Sequence, residues 1–407
     1  MLPHFALHPP RQISVVENGT IVINNEGLIE DVGPTQLLDS KFQNARFDVD
    51  LDGTGKSVIP GLVDGHTHPV WAGDRCHEFA AKLAGATYMD IHKMGGGIGY
   101  SVRHTREASE EELGRLLRER LSRMRRFGTT LAEAKTGYGL EAETEMKMLR
   151  VLTSAVRASD ELGVELVPNY LVHSIPKGQT SVEATQNVLE EQLPALAKSM
   201  REGVVDCELV DVFCDKGIFE IEETRKILEA GKALGLEVNF HGDELHPIRA
   251  AELAGDLGAL ACSHLEQISE EGIVAMAKRP SVAVLLPTTA YILRLVPPPA
   301  RKLIQHGVPV ALGSDFNPNA HCLSMPMTMN MACVLLHMTM SEALVAATLN
   351  AAHSMRRSHS HGSLEPGKVG DLVLIDSPSW EHIIYEIADP PISHVVKRGA
   401  VAWHSSE

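Results

Sequence analysis

Between residues 59 and 362 short apolar runs alternate with amphipathic stretches, and this alternation limits the possible folds more than any other feature. The runs at 59–68, 129–136, 164–173, 207–215, 237–243, 260–265, 281–286 and 309–315 read as strands. The stretches at 110–127, 141–162, 181–200, 221–236, 247–257 and 269–277 carry helical periodicity. Eight strands separated by helices over about 300 residues is the arithmetic of an α/β chain folded as a (β/α)8 TIM-type barrel. An open doubly wound sheet shares the alternation but has nearer to about six strands. No period of 20–50 residues recurs, which sets solenoids aside.

The two ends have a different texture. From 12 to 58, Ser14-Val15-Val16, a turn at Asn18-Gly19, Thr20-Ile21-Val22-Ile23, a turn at Asn24-Asn25 and a run from Leu28 to Val32 read as antiparallel hairpins. Strand-like runs return at Asp371-Leu372-Val373-Leu374-Ile375, Val395-Val396-Lys397 and Ala400-Val401-Ala402-Trp403. The expectation is a small composite β-sandwich domain made of 1–58 and 363–407, set against a barrel at 59–362.

Charge narrows the partners. With 37 Lys+Arg against 53 Asp+Glu in 407 residues, the net charge of −16 repels phosphate backbones and anionic membranes. The densest basic run, Arg115 to Arg126, is interleaved with Leu and Glu at helical spacing and reads as a solvated helix face. Apolar stretches fall far short of the roughly 20 residues that span a bilayer. Met1-Leu2-Pro3-His4-Phe5 lacks the charged start and apolar core of a secretory signal. Cysteines 76, 207, 214, 262, 322 and 333 form no C-x-x-C pair. A soluble cytoplasmic protein with reduced thiols is expected.

The ionisable residues gather at strand ends. Strand one finishes in Asp64-Gly65-His66-Thr67-His68, strand two in Glu133-Ala134-Lys135, strand three in His173 and strand four in Asp215. Strand five finishes in His241-Gly242-Asp243-Glu244, strand six in His264 and strand eight in Ser314-Asp315. In a barrel these C-terminal ends converge on one face. His66 and His68 stand two apart, so a strand points both imidazoles to one side. Joined by His241 and Asp315, they make a set of three imidazoles and a carboxylate, which suits one Zn2+ or another first-row cation such as iron better than Mg2+ or Ca2+. A cation of this kind lowers the pKa of bound water to about 7 and directs it at carbonyl-like carbon. Such hydrolysis also needs a base, an acid and an oxyanion partner, and His264, Glu244 and Asp315 are the groups available.

These residues carry a resemblance. Pro60-Gly61-Leu62-Val63-Asp64-Gly65-His66-Thr67-His68 resembles the first-strand signature of the amidohydrolase superfamily, and Gly362-Ser363-Leu364-Glu365-Pro366-Gly367-Lys368-Val369-Gly370-Asp371-Leu372-Val373 resembles its return into the small β domain. The runs His68-Pro69-Val70-Trp71-Ala72-Gly73-Asp74-Arg75, Gly95-Gly96-Gly97-Ile98, Lys135-Thr136-Gly137-Tyr138-Gly139-Leu140, Phe240-His241-Gly242-Asp243-Glu244 and Leu312-Gly313-Ser314-Asp315-Phe316-Asn317-Pro318-Asn319 are similar to the imidazolonepropionase branch. That resemblance implies opening of 4-imidazolone-5-propanoate to N-formimino-L-glutamate in histidine degradation. It implies that His66, His68, His241 and Asp315 hold the metal, and that Arg75, Tyr138, His173 and Glu244 meet the substrate, with Asn317 and Asn319 near the product. It also implies a homodimer. The chain departs from the branch in carrying Leu171-Val172 before His173, where small residues are usual.

Other features receive blander readings. The glycine run 95–99 reads as a loop near the barrel mouth, because no Lys-Ser/Thr follows it. Ser358-His359-Ser360-His361 repeats the H-x-H spacing without a strand and gets no metal role. The alternative activity is a mononuclear deaminase of cytosine or guanine type, which would share the metal set and release ammonia. A binuclear hydrolase would want a lysine at strand four, where Lys216 is out of register, and a non-catalytic scaffold would have lost ligands that are all present here.

Overall fold

Two asparagines shape the first hairpin of the computed structural model, which describes residues 13–85, 96–279 and 281–405. Asn18 takes a left-handed φ of 49° just before β1 (Gly19–Ile23). Asn24 Oδ1 accepts the backbone N–H groups of Glu26 and Leu28, turning the chain into β2 (Ile29–Pro34). The strands pair antiparallel, with Ile21 opposite Val32.

The sequence reads 59–68 as one strand, but the structure divides it at Gly61. β3 (Ser57–Pro60) ends there and β4 (Leu62–Asp64) begins, in a different sheet. Gly61 passes so close to Thr130 that a Cβ would lie 2.2 Å from Thr130 Oγ1. Residues 65–68 then run on along the barrel as irregular chain.

The remaining barrel strands are β5 (Thr129–Lys135), β6 (Glu165–Val172), β7 (Leu209–Cys214), β8 (Glu237–Gly242), β9 (Ala261–His264), β10 (Val282–Leu285) and β11 (Val310–Leu312). From β4 to β11 each strand is hydrogen-bonded to the next, and every pairing is parallel. The exits of β4 and β11 lace the circle shut: Gly65 N–H donates to Leu312 O, Asp315 N–H to His66 O and His68 N–H to Phe316 O, at 2.8–3.0 Å. The eight-stranded barrel reading holds.

Strand alternation builds two cores. Val63, Leu131, Val167, Leu209, Ala261 and Val282 pack together inside the barrel, whereas their neighbours Leu62, Ala132, Leu166 and Val210 join the cluster packed against the helices. Both faces are dry, so all seven residues of β5 are buried.

The helices are more broken than periodicity suggests. The stretch expected at 181–200 is Ser181–Asn187, a π-turn at Val188–Gln192, then Leu193–Arg201. Pro194 has no N–H to give to the preceding turn, which accounts for the interruption. The stretch at 141–162 is Ala142–Arg157 followed by Ser159–Leu162. The glycine run is only partly a loop: Gly97, at φ 72°, starts a helix over Ile98–Glu107 that contains Gly99, while Gly95 lies outside the described residues.

The chain closes with β12 (Leu372–Ile375), β13 (Ile392–Lys397) and β14 (Ala400–His404). They form an antiparallel sheet in the order β14-β13-β12-β3. Ion pairs tie this segment to the barrel at the start of β6. Lys397 of β13 reaches Glu165 at 3.7 Å and Asp371 at 2.8 Å, and Arg357 and His361, just before the segment, reach the same Glu165 at 3.2 and 3.3 Å.

Candidate metal centre

Five buried side chains meet at the C-terminal rim. The exit of β4 supplies His66 and His68, β8 supplies His241, β9 supplies His264 and the exit of β11 supplies Asp315, each at most 3 % exposed. The ring of His66 lies 5.3 Å from that of His68, 4.5 Å from that of His241 and 5.5 Å from that of His264. Asp315 Oδ1 is 3.5 Å from His66 Nε2 and 3.4 Å from His68 Nε2. Two triads therefore share His66, one with His68 and Asp315 and one with His241 and His264, and the ligand atoms within each lie no more than 4.8 Å apart. Both nitrogens of His66, Nδ1 of His68 and Oδ1 of Asp315 have no hydrogen-bond partner among the described residues. Buried polar atoms are rarely left so, and a cation at their meeting point would satisfy them. The donor set fits a borderline transition metal.

Electrostatics keeps these groups ready to bind. Burial lowers His241 to about 4 and pushes His66 well below its ordinary value, so both are neutral at pH 7. Burial opposes the Asp315 carboxylate, yet the adjacent His68 ring and the charge of His264 hold it below the carboxylate range. Thr289 Oγ1 donates to the other Asp315 oxygen.

A layer of charge beneath the rim orients the candidate ligands. Asp211 in mid-β7 stands 2.9 and 3.0 Å from His241 Nδ1, which fixes Nδ1 as the donor and frees Nε2 toward the centre. Lys135 Nζ lies 2.7 Å from Asp211 and 2.6 Å from Glu133, with all three side chains fully shielded. Glu133 also accepts from Asn169 Nδ2 and from the backbone N–H of Thr67, between the two histidines of H-x-H. Asp64 accepts the N–H of Ser314, and burial raises its pKa to about 7.

The pair expected from sequence to handle protons lies beside the candidate ligands. His264 Nε2 is 3.5 Å from Glu244. Burial raises Glu244, while Glu244 and Glu266 raise His264 against its own burial.

The residues assigned to substrate have mixed positions. The His173 ring stacks on that of His68 at 5.4 Å and Nδ1 bonds Gly137 O, so Leu171 and Val172 do not keep it from the site. Tyr138 is buried, 6.0 Å from the His68 ring and 5.2 Å from that of His173. Arg75 is already engaged, with Nε and Nη2 donating to Glu78 Oε2 at 3.0 and 2.8 Å. Glu78 in turn accepts Gly97 N–H. Asn317 holds its own loop, donating to Asp315 O and accepting from the N–H groups of Asn319 and Ala320.

Asp211, Glu266, Thr289 and Glu78 escaped sequence reasoning. The usable signal for Asp211 was a lone acid inside Leu209-Val210-Asp211-Val212-Phe213, an apolar strand where a charge needs a buried partner. Nothing comparable marks the other three.

The fold and donor set define a barrel-borne metal-dependent hydrolase, and the chain belongs to the amidohydrolase family, whose sequence pattern matches residues 57–402. Within it the chain is similar to proteins described as probable imidazolonepropionases. It is 56 % identical to that of Nematostella vectensis, over 95 % of this chain and 91 % of that one. Identity is 58 % with that of Dictyostelium discoideum, over 97 % and 92 %, and 53 % with that of Homo sapiens, over 97 % and 92 %. Solved structures share the fold at lower identity. An adenosine deaminase from Xanthomonas campestris with bound zinc gives a TM-score of 0.66 at 18 % identity, covering 95 % of this chain and 89 % of that one. A 5-methylcytosine deaminase from Klebsiella pneumoniae gives 0.73 at 13 %, covering 98 % and 96 %. Among the described residues no helix is long and apolar enough to cross a membrane.

Proposed function

We propose that the chain hydrolyses the ring amide of 4-imidazolone-5-propanoate to N-formimino-L-glutamate. The observation that carries this reading is the meeting of His66, His68, His241, His264, Glu244 and Asp315 at one rim, in a chain more than half identical to probable imidazolonepropionases along nearly its whole length.

His66, His68, His241 and Asp315 would hold one zinc or iron ion. When bound, such an ion polarises a carbonyl and lowers the pKa of water. Asp315 takes the proton of the attacking water, and the charged His264 ring donates to and steadies the oxyanion. Glu244 engages the ring nitrogens and delivers a proton as the C–N bond breaks. Arg75, aimed by Glu78, grips the propanoate tail with Tyr138, and His173 stands beside them. Asn317 shapes the loop that places Asn319 toward the product.

Freshly made imidazolonepropanoate should lose its ultraviolet absorbance when incubated with the protein, and a chelator should stop the loss. Unchanged absorbance with metal-loaded protein would overturn the reading. The shared fold with solved deaminases supports a second reading, a cytosine- or guanine-type deaminase. Ammonia release separates the two, since ring opening frees none. The same proposal takes 1–58 with 363–407 as a small composite domain, 59–362 as the catalytic barrel, and the protein as a cytoplasmic homodimer. Light scattering on the purified protein measures that mass.

A further inference from the structure

Two residues beyond His264 lies Glu266, with a side chain wholly shielded from solvent. Neither of its carboxylate oxygens has a hydrogen-bond partner among the described residues. That is a costly arrangement for a buried acid. Other buried acids near the rim serve the backbone. Asp243 accepts the N–H groups of Ile248, Ala250 and Ala251, and Glu145 accepts those of Gly137, Gly139 and Leu140. Glu266 does no such work for the fold.

Its one polar neighbour of interest is an imidazole. Glu266 Oε2 stands 3.6 Å from His264 Nδ1, which is itself buried and unpartnered. The opposite nitrogen, Nε2, faces Glu244 Oε2 at 3.5 Å. The ring therefore sits between two carboxylates, one at each nitrogen. The backbone is bent to achieve this. His264 and Leu265 take φ values of 78° and 68°, a region that side-chain-bearing residues avoid. This turn is locked to the end of β8, because Leu265 N–H donates to Gly242 O and Gln267 N–H to Asp243 O. Strain of this kind persists where the surrounding structure imposes it.

We propose that Glu266 is a positioning residue: it accepts the Nδ1 proton of His264 and so presents Nε2 to the reacting water and to Glu244. The 3.6 Å separation is just beyond a hydrogen bond, and bonds between catalytic groups commonly tighten only when substrate is bound. The carboxylate of a hydrolytic triad acts on its histidine in the same way, setting tautomer and orientation without touching substrate. The inference rests on the role given to His264 in the proposed reaction.

Two variants and one spectrum test it. Glu266→Gln offers an N–H to Nδ1 and favours the wrong tautomer, and Glu266→Met removes the orphaned charge altogether. In the metal-loaded protein both should lower kcat at least about a hundredfold while KM stays within about threefold. Because the carboxylate holds no backbone group and Glu244 remains beside the His264 ring, the melting temperature of Glu266→Met should stay close to that of the parent. A merely structural glutamate would make stability and kcat fall together. A variant kcat within about threefold of the parent, or a parallel loss of stability, would overturn the proposal. The spectrum is that of ring nitrogens in 15N-histidine-labelled metal-loaded protein, with His264 assigned through His264→Asn. The parent should carry a proton on Nδ1 that Glu266→Gln loses, and an unprotonated Nδ1 in the parent would refute the role. This signal does not depend on turnover, so a failure to hydrolyse imidazolonepropanoate would overturn the function while leaving the fate of Glu266 to be decided by the ring.

Discussion

Replacing Lys135 by methionine would leave two carboxylates facing one another inside the barrel. The ammonium is fully buried, 2.6 Å from Glu133 and 2.7 Å from Asp211, and those two acids keep it charged against its burial. Methionine preserves most of the stem, so the change is chiefly one of charge. Removing one partner of a buried ion pair costs about 3–5 kcal/mol, because the other is left without compensation. At about 2.1 cal/mol/K of unfolding entropy per residue, a chain of 407 residues changes by roughly 0.9 kcal/mol per kelvin. The expected fall in melting temperature for Lys135→Met is therefore about 4–6 K. Adding Asp211→Asn removes the stranded charge, so the double variant should be more stable than the sum of the single losses by about 1–3 kcal/mol. Calorimetry at fixed metal concentration measures all three variants, since bound metal itself raises the transition. A Lys135→Met transition within about 1 K of the parent, or strict additivity in the double variant, would refute the reasoning.

Three further outcomes follow from other contacts. Asp211→Asn should weaken metal binding about 10–100-fold in a chelator competition, because the amide no longer fixes His241 Nδ1 as the donor; unchanged affinity would break that link. Glu165 is opposed by burial, but His361, Lys397 and Arg357 hold its carboxyl well below the usual range. A depressed pKa adds stability in full above the unfolded value of about 4.3 and loses it as pH falls toward the folded one, so the melting gap between parent and Glu165→Gln should be widest near pH 7 and shrink below about pH 4. A gap independent of pH would refute the linkage. Gly61→Ala puts a Cβ 2.2 Å from Thr130 Oγ1 and should cost about 1–3 kcal/mol in urea unfolding, with much of the loss recovered by adding Thr130→Ala.

The parts legible in the sequence share one property: a local spacing that physics converts directly into a direction. His66 and His68, two apart at a strand exit, had to face one way, and the parallel order of strands brought them to His241, His264 and Asp315. Breaks in regular structure were less visible. Pro60-Gly61 reads as the middle of an apolar run, and only the approach of Thr130 shows why the chain changes sheets there. The π-turn at Val188–Gln192 depends on how Pro194 meets the preceding turn, which a helical pattern alone does not show. Asp211, Lys135 and Glu266 act through other side chains, so their meaning lies in partners 30 or more positions away or in a backbone reversal, neither of which a motif records.

Arg75 shows how a correct location can carry an incomplete reason. From sequence it is a free guanidinium at the barrel mouth, able to offset an unfavourable field of −16 for an anionic substrate. In the structure Glu78 holds its Nε and Nη2 edge, so the pair carries little net charge and contributes little long-range attraction. What Glu78 supplies instead is aim. A guanidinium fixed on one edge loses little side-chain entropy when its remaining donors meet a carboxylate, and geometry then selects the ligand. Tail recognition by Arg75 and Tyr138 should therefore depend only weakly on ionic strength. Glu78→Gln should raise KM by loosening the guanidinium rather than lower it by unmasking charge, and a KM that falls in Glu78→Gln would show that charge and not aim was the limiting quantity.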